Sequence, residues 1–409
     1  VTAPVEAEAQ GKGRAGGKGT PWPVARALAA TAATPLPPLT VPLKRARGRV
    51  LATPLTARQP HPAFDTAAMD GYAVRGEPPW TLVGSALAGG EPAPPLRCGE
   101  ALEIATGAPT PPGTTAVVPY EHATVRARTV TPRQPGTSRT HIRHTGEECP
   151  AGREVLPRGT VVTPAAVGLA ASLGCDSLTV HAVPQVALLL TGDELARSGL
   201  PPHGRVRDAL GPLLPGLVEW AGGAPRPVTY LPDGRAPLVT ELARSAGRFG
   251  PQEPAPGTDV IAVCGASSRG PADHLRPALG ELGAQLLVDS VACRPGHPQL
   301  LAQLPGGTYV VGLPGNPYAA LAAAMTLLIP LLGTLAGRPA PTRRTARLAR
   351  PLRTDPSRTW LVPVVVEDGL ATPVGHDHPA LLWGAALADA LAVLPPGGAD
   401  DVELLPLPR

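Results

Sequence analysis

Pro184-Gln-Val-Ala-Leu-Leu-Leu-Thr-Gly-Asp-Glu-Leu195 decides how the rest of the chain is read. Its apolar run, Val186 to Leu190, has the texture of a strand buried on both faces, as in a parallel sheet covered by helices. The run stops abruptly at Thr191-Gly192-Asp193-Glu194, a flexible glycine beside two carboxylates. Ligands of open α/β sheets collect at the carboxyl ends of the strands, so these acids stand where a metal ion could be held. The plainer reading is that Asp193 and Glu194 face solvent in a turn or begin a helix.

Composition narrows the classes. A chain of 409 residues is long for one core and implies several domains. Only 3% of residues are aromatic, so the cores must rest on Leu, Val and Ala. The 55 prolines and 47 glycines call for many turns, while regular apolar runs argue against a disordered chain. A net charge of +4 without a long basic run, an RNA-binding aromatic signature or zinc-finger spacing gives no support for nucleic acid as partner. The scattered cysteines, Cys98, Cys149, Cys175, Cys264 and Cys293, form no Cys-x-x-Cys pair, which excludes a disulfide framework. No apolar signal core opens the sequence, and a cytoplasmic protein is expected. The uncharged segment 318–337 has the length of a membrane span, but Pro330 and its alanine content fit a helix packed on a sheet, so no membrane is expected.

In chain order, residues 1–20 read as a disordered tail. Residues 21–55 and 150–184 read as a discontinuous extended domain, with a helix from Pro164 closed by Gly174. Residues 56–149 alternate short strands with Gly/Pro punctuation and read as an inserted β domain. From 185 to 336 strands are expected at 186–190, 226–230, 259–263, 284–288 and 308–312. Helices are expected near 208–221, 234–247, 273–282 and 317–329, which together describe a three-layer α/β/α domain. Residues 337–409 revert to short strands and form a small terminal β domain. The fold class is thus multidomain α/β plus β.

Three strand ends of the α/β domain carry unusual loops: 191–194, Cys264-Gly-Ala-Ser-Ser-Arg-Gly-Pro-Ala-Asp273 and Gly312-Leu-Pro-Gly-Asn-Pro317. Small residues let backbone amides approach an anion, and a helix N-terminus adds dipole charge. With carboxylates nearby, such loops suit a phosphorylated ligand and a divalent cation, and Asp208, opening another helix, could extend the acidic set. Each loop alone could equally be a tight connection. Neither Gly-x-Gly-x-x-Gly, nor a P-loop, nor a Gly-x-Ser-x-Gly elbow is present.

Taken in order, Ala68-Met-Asp-Gly-Tyr-Ala73, Thr106-Gly-Ala-Pro109, Gly146-Glu-Glu148, Thr191-Gly-Asp-Glu-Leu195, Pro295-Gly296 and Leu313-Pro-Gly-Asn-Pro317 resemble one family, the molybdopterin molybdenumtransferases, related to the C-terminal domain of gephyrin. The resemblance runs over about residues 21–336 and is weaker beyond. It implies that 185–336 is a molybdopterin-binding domain of an elongated homodimer. It also implies insertion of molybdenum from molybdate into adenylated molybdopterin, with release of AMP and a requirement for Mg²⁺. On matching positions, Glu194 and Asp273 would hold the metal. Asp70 and Thr106 would reach in from the partner's β domain, with Glu148, Asp208, Arg294 and His297 as further catalytic positions. Gly265, Ser268, Pro314, Gly315, Asn316 and Pro317 would line the substrate.

Several positions depart from the family pattern. Gly-Gly-Val-Ser is here Gly265-Ala-Ser-Ser268, and lysines around Pro-Gly are Arg294 and His297. An aspartate is Glu148, and Asp-Ser-Asn is Asp208-Ala-Leu210. The Gly-Ser-Gly-like element of the terminal domain is missing near His376-Asp-His-Pro379. The alternative these changes suggest is a relative that binds the pterin nucleotide or a protein partner without turnover.

Overall fold

Strand Gln185–Thr191 is buried along nearly its whole length, as its unbroken apolar run requires. The computed structural model describes residues 19–134, 139–247, 257–266, 273–352, 355–376 and 378–408. They fall into two units, one made of residues 1–37 with 181–409, the other of 38–180.

In the first unit the sheet runs Ala224–Pro225, Gln185–Thr191, Val260–Cys264, Tyr309–Leu313, Leu300–Gln303, Gln285–Val288, and Thr229–Leu231 also pairs with Gln185–Thr191. Pairings up to Tyr309–Leu313 are parallel, and the last two strands add antiparallel. Side-chain alternation divides each central strand between two cores. Val186, Leu188, Leu190, Val260, Ala262, Val311 and Leu313 enter one core. Ala187, Leu189, Ile261, Val263 and Val310 enter the other. Helices Leu210–Trp220 and Pro317–Leu335 cover the first face. Arg235–Ser245 and Leu275–Glu281 cover the second through Leu238, Leu242, Leu275 and Leu279. This is the expected three-layer arrangement. The strand Leu300–Gln303 was not anticipated, because it follows Pro295, Gly296 and Pro298, which punctuate the sequence as loop.

Pro317–Leu335 is long and apolar enough to cross a membrane, and most of it is buried in this core. Its middle turn, Ala324–Leu328, is a π-helix just before Pro330, whose missing N–H breaks the regular ladder. Thr326 lies there, and its Oγ1 accepts a 2.9 Å bond from Trp22 Nε1. Trp22, Ala25 and Ala29 of helix Trp22–Thr31 belong to the same core. Residues 21–37 therefore group with the α/β unit rather than with the extended segments to which the sequence assigns them; the cause is a long-range packing contact that local patterning does not carry.

The C-terminal strands Thr359–Glu367, Leu370–Pro373, Arg344–Leu348, Asp401–Pro406 and Ala390–Leu394 pair in that order. The last returns to the first, closing a small barrel around Val364, Ala371, Ala392 and Val402. Strands Thr20–Pro21 and Val291–Arg294 extend the sheet from Thr359–Glu367.

The second unit holds a six-stranded sheet in the order Ala116–Pro119, Gly71–Val74, Glu100–Ile104, Trp80–Ala86, Thr129–Pro132, Ala123–Arg126. Beside it, short ladders join Thr66–Ala67 to Ile142–Arg143 and Leu55–Thr56 to Glu154–Leu156. Helix Pro164–Ser172 has Pro164 in its first turn and Thr163 as N-cap, whose hydroxyl accepts from Ala166 N at 3.2 Å.

Candidate functional site

Register brings the three strand ends level. Leu190 pairs with Cys264 and Cys264 with Leu313, so the loops that follow leave the sheet side by side at its carboxyl edge. Thr191 Oγ1 donates to Cys264 O at 3.2 Å. Gly265 has φ +95°, and a Cβ there would lie 2.4 Å from Thr191 O. Only glycine meets both conditions. A Cβ on Gly315 would be 3.6 Å from Gly265 Cα, which places the Pro314-Gly315 turn against the same spot. Ala266, which takes the place of the family's second glycine, is buried in the second core, so its methyl turns away from the edge. Ser268 lies outside the described residues. Burial drives the Cys264 thiol far above its ordinary pKa, which removes it as a nucleophile.

Glu194 is exposed, and its carboxylate folds over Gly192, where a Cβ would meet Glu194 Oε2 at 2.8 Å. Asp193 is tied to a residue the sequence does not single out: Asp193 N donates to Asp233 Oδ2 at 3.2 Å and Asp233 N to Asp193 Oδ1 at 3.4 Å. Asp233 follows Thr229–Leu231, the strand parallel to Gln185–Thr191; its Pro-Asp-Gly setting reads from sequence as an ordinary turn. Around these loops lies a hollow of about 650 Å³ lined by Gly192, Asp193, Arg197, Arg205 and Tyr230 among others. Two arginines at its wall give it the cations that a phosphate needs.

Asp208 does not join this acidic set. It is buried, its Oδ1 accepts from Leu210 N at 2.9 Å and Gly211 N at 3.1 Å, and Tyr230 donates to its Oδ2 at 2.7 Å. The carboxylate caps the helix Leu210–Trp220 and fixes the Tyr230 ring, over which Arg197 stacks at 4.1 Å. Burial, then the Asp208 bond, raises the Tyr230 pKa. Asp208 thus shapes the hollow from beneath it.

Asp273 stands just before helix Leu275–Glu281, whose Leu275 N bonds back to Ala266 O. Its Oδ2 takes a 2.9 Å ion pair from Arg276, which also holds Asp289 at 2.6 Å, whereas its Oδ1 is buried with no hydrogen-bond partner of normal geometry among the described residues. Burial raises the Asp273 pKa and Arg276 only partly opposes it. An orphaned carboxylate oxygen is the kind of donor a divalent cation satisfies, and Mg²⁺ commonly takes one or two carboxylates plus substrate phosphates. The donor set fits that ion. Among the described residues no three His, Cys, Asp or Glu side chains converge as a ready-made metal cluster, so Glu194 and Asp273 would need ligand oxygens to complete it.

The third loop differs from the expected anion cradle. Pro317 has no N–H, Ala320 N bonds Asn316 O, and Tyr318 N and Ala319 N both donate to Pro379 O, at 3.0 and 3.2 Å. The helix start that the sequence offers to an anion is thus capped by Pro379 of the terminal domain. Pro314, Gly315 and Asn316 remain beside Gly265. Next to them, Gly296, with φ +94°, packs on the same helix: a Cβ there would touch Ala319 O at 3.0 Å. The amide of fully buried Gln299 donates to Gly296 O at 2.9 Å. His297 Nδ1 donates to Val291 O at 2.6 Å, which fixes its tautomer, and Arg294 lies over the Trp360 ring at 4.9 Å. Arg294 and His297 therefore flank one glycine turn.

The second unit gathers its own set. Asp70 Oδ1 accepts from Thr106 N at 2.6 Å and Thr106 Oγ1 at 2.9 Å, and these bonds hold the exposed Asp70 carboxyl below its ordinary pKa. Glu148 Oε2 is 3.5 Å from His61 Nε2, an exposed pair.

Comparison with known proteins agrees with this organisation. Family profiles described as MoeA N-terminal region (domain I and II), probable molybdopterin binding domain and MoeA C-terminal region (domain IV) match residues 22–174, 187–334 and 345–407. Molybdopterin molybdenumtransferase 2 of Mycobacterium tuberculosis (strain ATCC 25618 / H37Rv) is 34% identical over 381 residues, covering 88% of this chain and 91% of that protein. The molybdopterin molybdenumtransferase of Synechococcus elongatus is 33% identical over 321 residues, covering 75% and 77%. In fold, a molybdopterin biosynthesis moeA protein from Pyrococcus horikoshii superposes with a TM-score of 0.75 at 23% identity, covering 94% of this chain and 99% of that one. With strand ends, carboxylates and glycine turns in the order that the resemblance requires, and with relatives alike over nearly their whole length, the chain belongs to the molybdopterin molybdenumtransferase family of transferases.

Proposed function

We propose that this chain inserts molybdenum from molybdate into adenylated molybdopterin, releasing AMP with Mg²⁺ bound at Glu194 and Asp273. The observation that supports the reading is the level carboxyl edge: the strand ends at Leu190, Cys264 and Leu313 are in register, Gly265 and Gly315 approach closely there, and a hollow walled by Arg197 and Arg205 opens beside Gly192 and Asp193. Bound Mg²⁺ supplies charge neutralisation at the phosphoanhydride. The protein's part is to hold the nucleotide phosphates on Arg197 and Arg205, while Tyr230, fixed by Asp208, shapes the wall of the hollow. Arg294 presents a cation to the tetrahedral oxyanion, and His297 stands on the other side of the Gly296 turn. At His297 the Nδ1 proton is committed to Val291 O, so its other ring nitrogen donates to an oxyanion only when the ring is protonated.

The active form in this reading is a homodimer, in which Asp70, Thr106 and Glu148 of one copy serve the strand ends of the other. Glu194→Ala and Asp70→Asn proteins, each inactive alone, are expected to regain about a quarter of wild-type AMP release when unfolded and refolded together in equal amounts. About half of the dimers are then mixed, each with one intact site. A mixture as inactive as its components contradicts the shared site.

A further inference from the structure

The segment that carries Asp70 holds a second clasp of the same design. Asp65 Oδ1 accepts from both Thr145 N, at 2.7 Å, and Thr145 Oγ1, at 2.8 Å. Asp70 treats Thr106 in the same way. Asp65 Oδ2 also meets His144 Nδ1 at 3.0 Å. Thr110 N donates to Asp65 O, so the aspartate is itself anchored at the back. The clasped residues open the tight turn His144-Thr145-Gly146-Glu147, in which Glu147 Oε2 accepts from His144 N at 2.8 Å and Gly146 has φ +73°. The next residue is Glu148. Its N–H and that of Cys149 donate to His61 O, and Gly146 N donates to Pro62 O. Residues 61–65 therefore border the whole Glu148 turn, and Asp65 is the side chain of that border that, among the described residues, accepts from a backbone N–H of the turn, with two side-chain bonds beside it.

We infer that Asp65 is a positioning residue for Glu148, fixing its turn as Asp70 fixes the Thr106 loop, and this inference rests on the reading of Glu148 as part of the catalytic set. The longer glutamate makes such a hold consequential: one more rotatable bond separates its carboxylate from the backbone, so the backbone must be placed more firmly to aim it. Three hydrogen bonds to one carboxylate also keep it ionised below the usual range, led by the Thr145 N–H. The clasp is therefore intact throughout neutral and mildly acidic pH.

The test uses the full-length protein and two readouts. With adenylated molybdopterin, molybdate and Mg²⁺, Asp65→Ala should lower kcat for AMP release about 10- to 100-fold, as a misplacement near 1 Å does. KM should stay within about threefold. Asp65→Asn, whose amide oxygen can still accept from Thr145, should recover activity to within about fivefold of wild type. In a Glu148→Gln background, Asp65→Ala should cost less than about threefold more, because the two act as a unit. An equal cost in both backgrounds overturns the inference. Amide hydrogen exchange at Glu148 and Cys149 should be about tenfold faster in Asp65→Ala, with the Gly71–Val74 strand unchanged. Wild-type exchange rates at those two amides would overturn the inference whatever the activity assay gives, whereas a wild-type protein that releases no AMP overturns the catalytic reading and leaves the exchange result to decide the clasp.

Discussion

Glu194→Ala and Asp273→Ala should each cut Mg²⁺-dependent AMP release by about 10³-fold, the size of the several kcal/mol that a bound divalent cation supplies to a phosphoryl centre. The two variants differ in what else they do. Glu194 is exposed and its carboxylate has no hydrogen-bond partner among the described residues, so its truncation should leave stability within about 0.5 kcal/mol of wild type. Asp273 is a liability to the fold. Its Oδ1 has no partner among the described residues and burial raises its pKa, so the folded protein holds that proton more tightly than the unfolded chain does. Stability then falls as pH rises between the unfolded and the raised folded pKa, and by neutral pH the full cost of the ionised group is present. Asp273→Ala is therefore expected to be at least as resistant to urea as wild type at neutral pH, with Arg276 still paired to Asp289. Activity lost without stability lost separates a metal ligand from a structural ion pair. Full activity in either variant contradicts the metal assignment.

The second large effect is on the fold. Gly265→Ala should destabilise the α/β unit by about 3 kcal/mol or more, since the methyl combines an unfavourable left-handed backbone with a clash into a neighbouring carbonyl. The distances leave no easy escape: the new Cβ would lie 2.4 Å from Thr191 O and 2.8 Å from Thr191 Oγ1, the atom that bonds Cys264 O. Gly315→Ala is the matched control, because its Cβ would stand 3.6 Å from Gly265 Cα, an ordinary contact. That variant should unfold within about 0.5 kcal/mol of wild type and yet weaken substrate binding by narrowing the approach to the edge. Urea midpoints of the two proteins check the contrast; equal midpoints would remove the close-approach argument.

What sequence can carry is local pattern, and here it carried the sheet. The runs ending at Thr191, Cys264 and Leu313 each gave a strand, and their ends stand level because the parallel register pairs Leu190 with Cys264 and Cys264 with Leu313. Burial also explains what was misread. Asp208 looks like any acid near a helix start until its oxygens are seen on Leu210 N, Gly211 N and Tyr230. The start of Pro317–Leu335 looks open to an anion until Pro379, some 60 residues on, is found capping it. Asp233 joins the site through a pairing with Asp193 across two loops, and Arg197 and Arg205 sit in an irregular polar stretch with no period to flag them. Long-range hydrogen bonds and packing have no signature in a short window, and these assignments all depend on them.

The most direct measurement of the central claim is AMP release from adenylated molybdopterin by the purified full-length protein, followed with molybdate and Mg²⁺ both present and with each left out. The predicted result is release that needs both, with molybdenum recovered on the pterin in equal amount to AMP. Binding of the pterin nucleotide with no AMP formed under the complete mixture would contradict it.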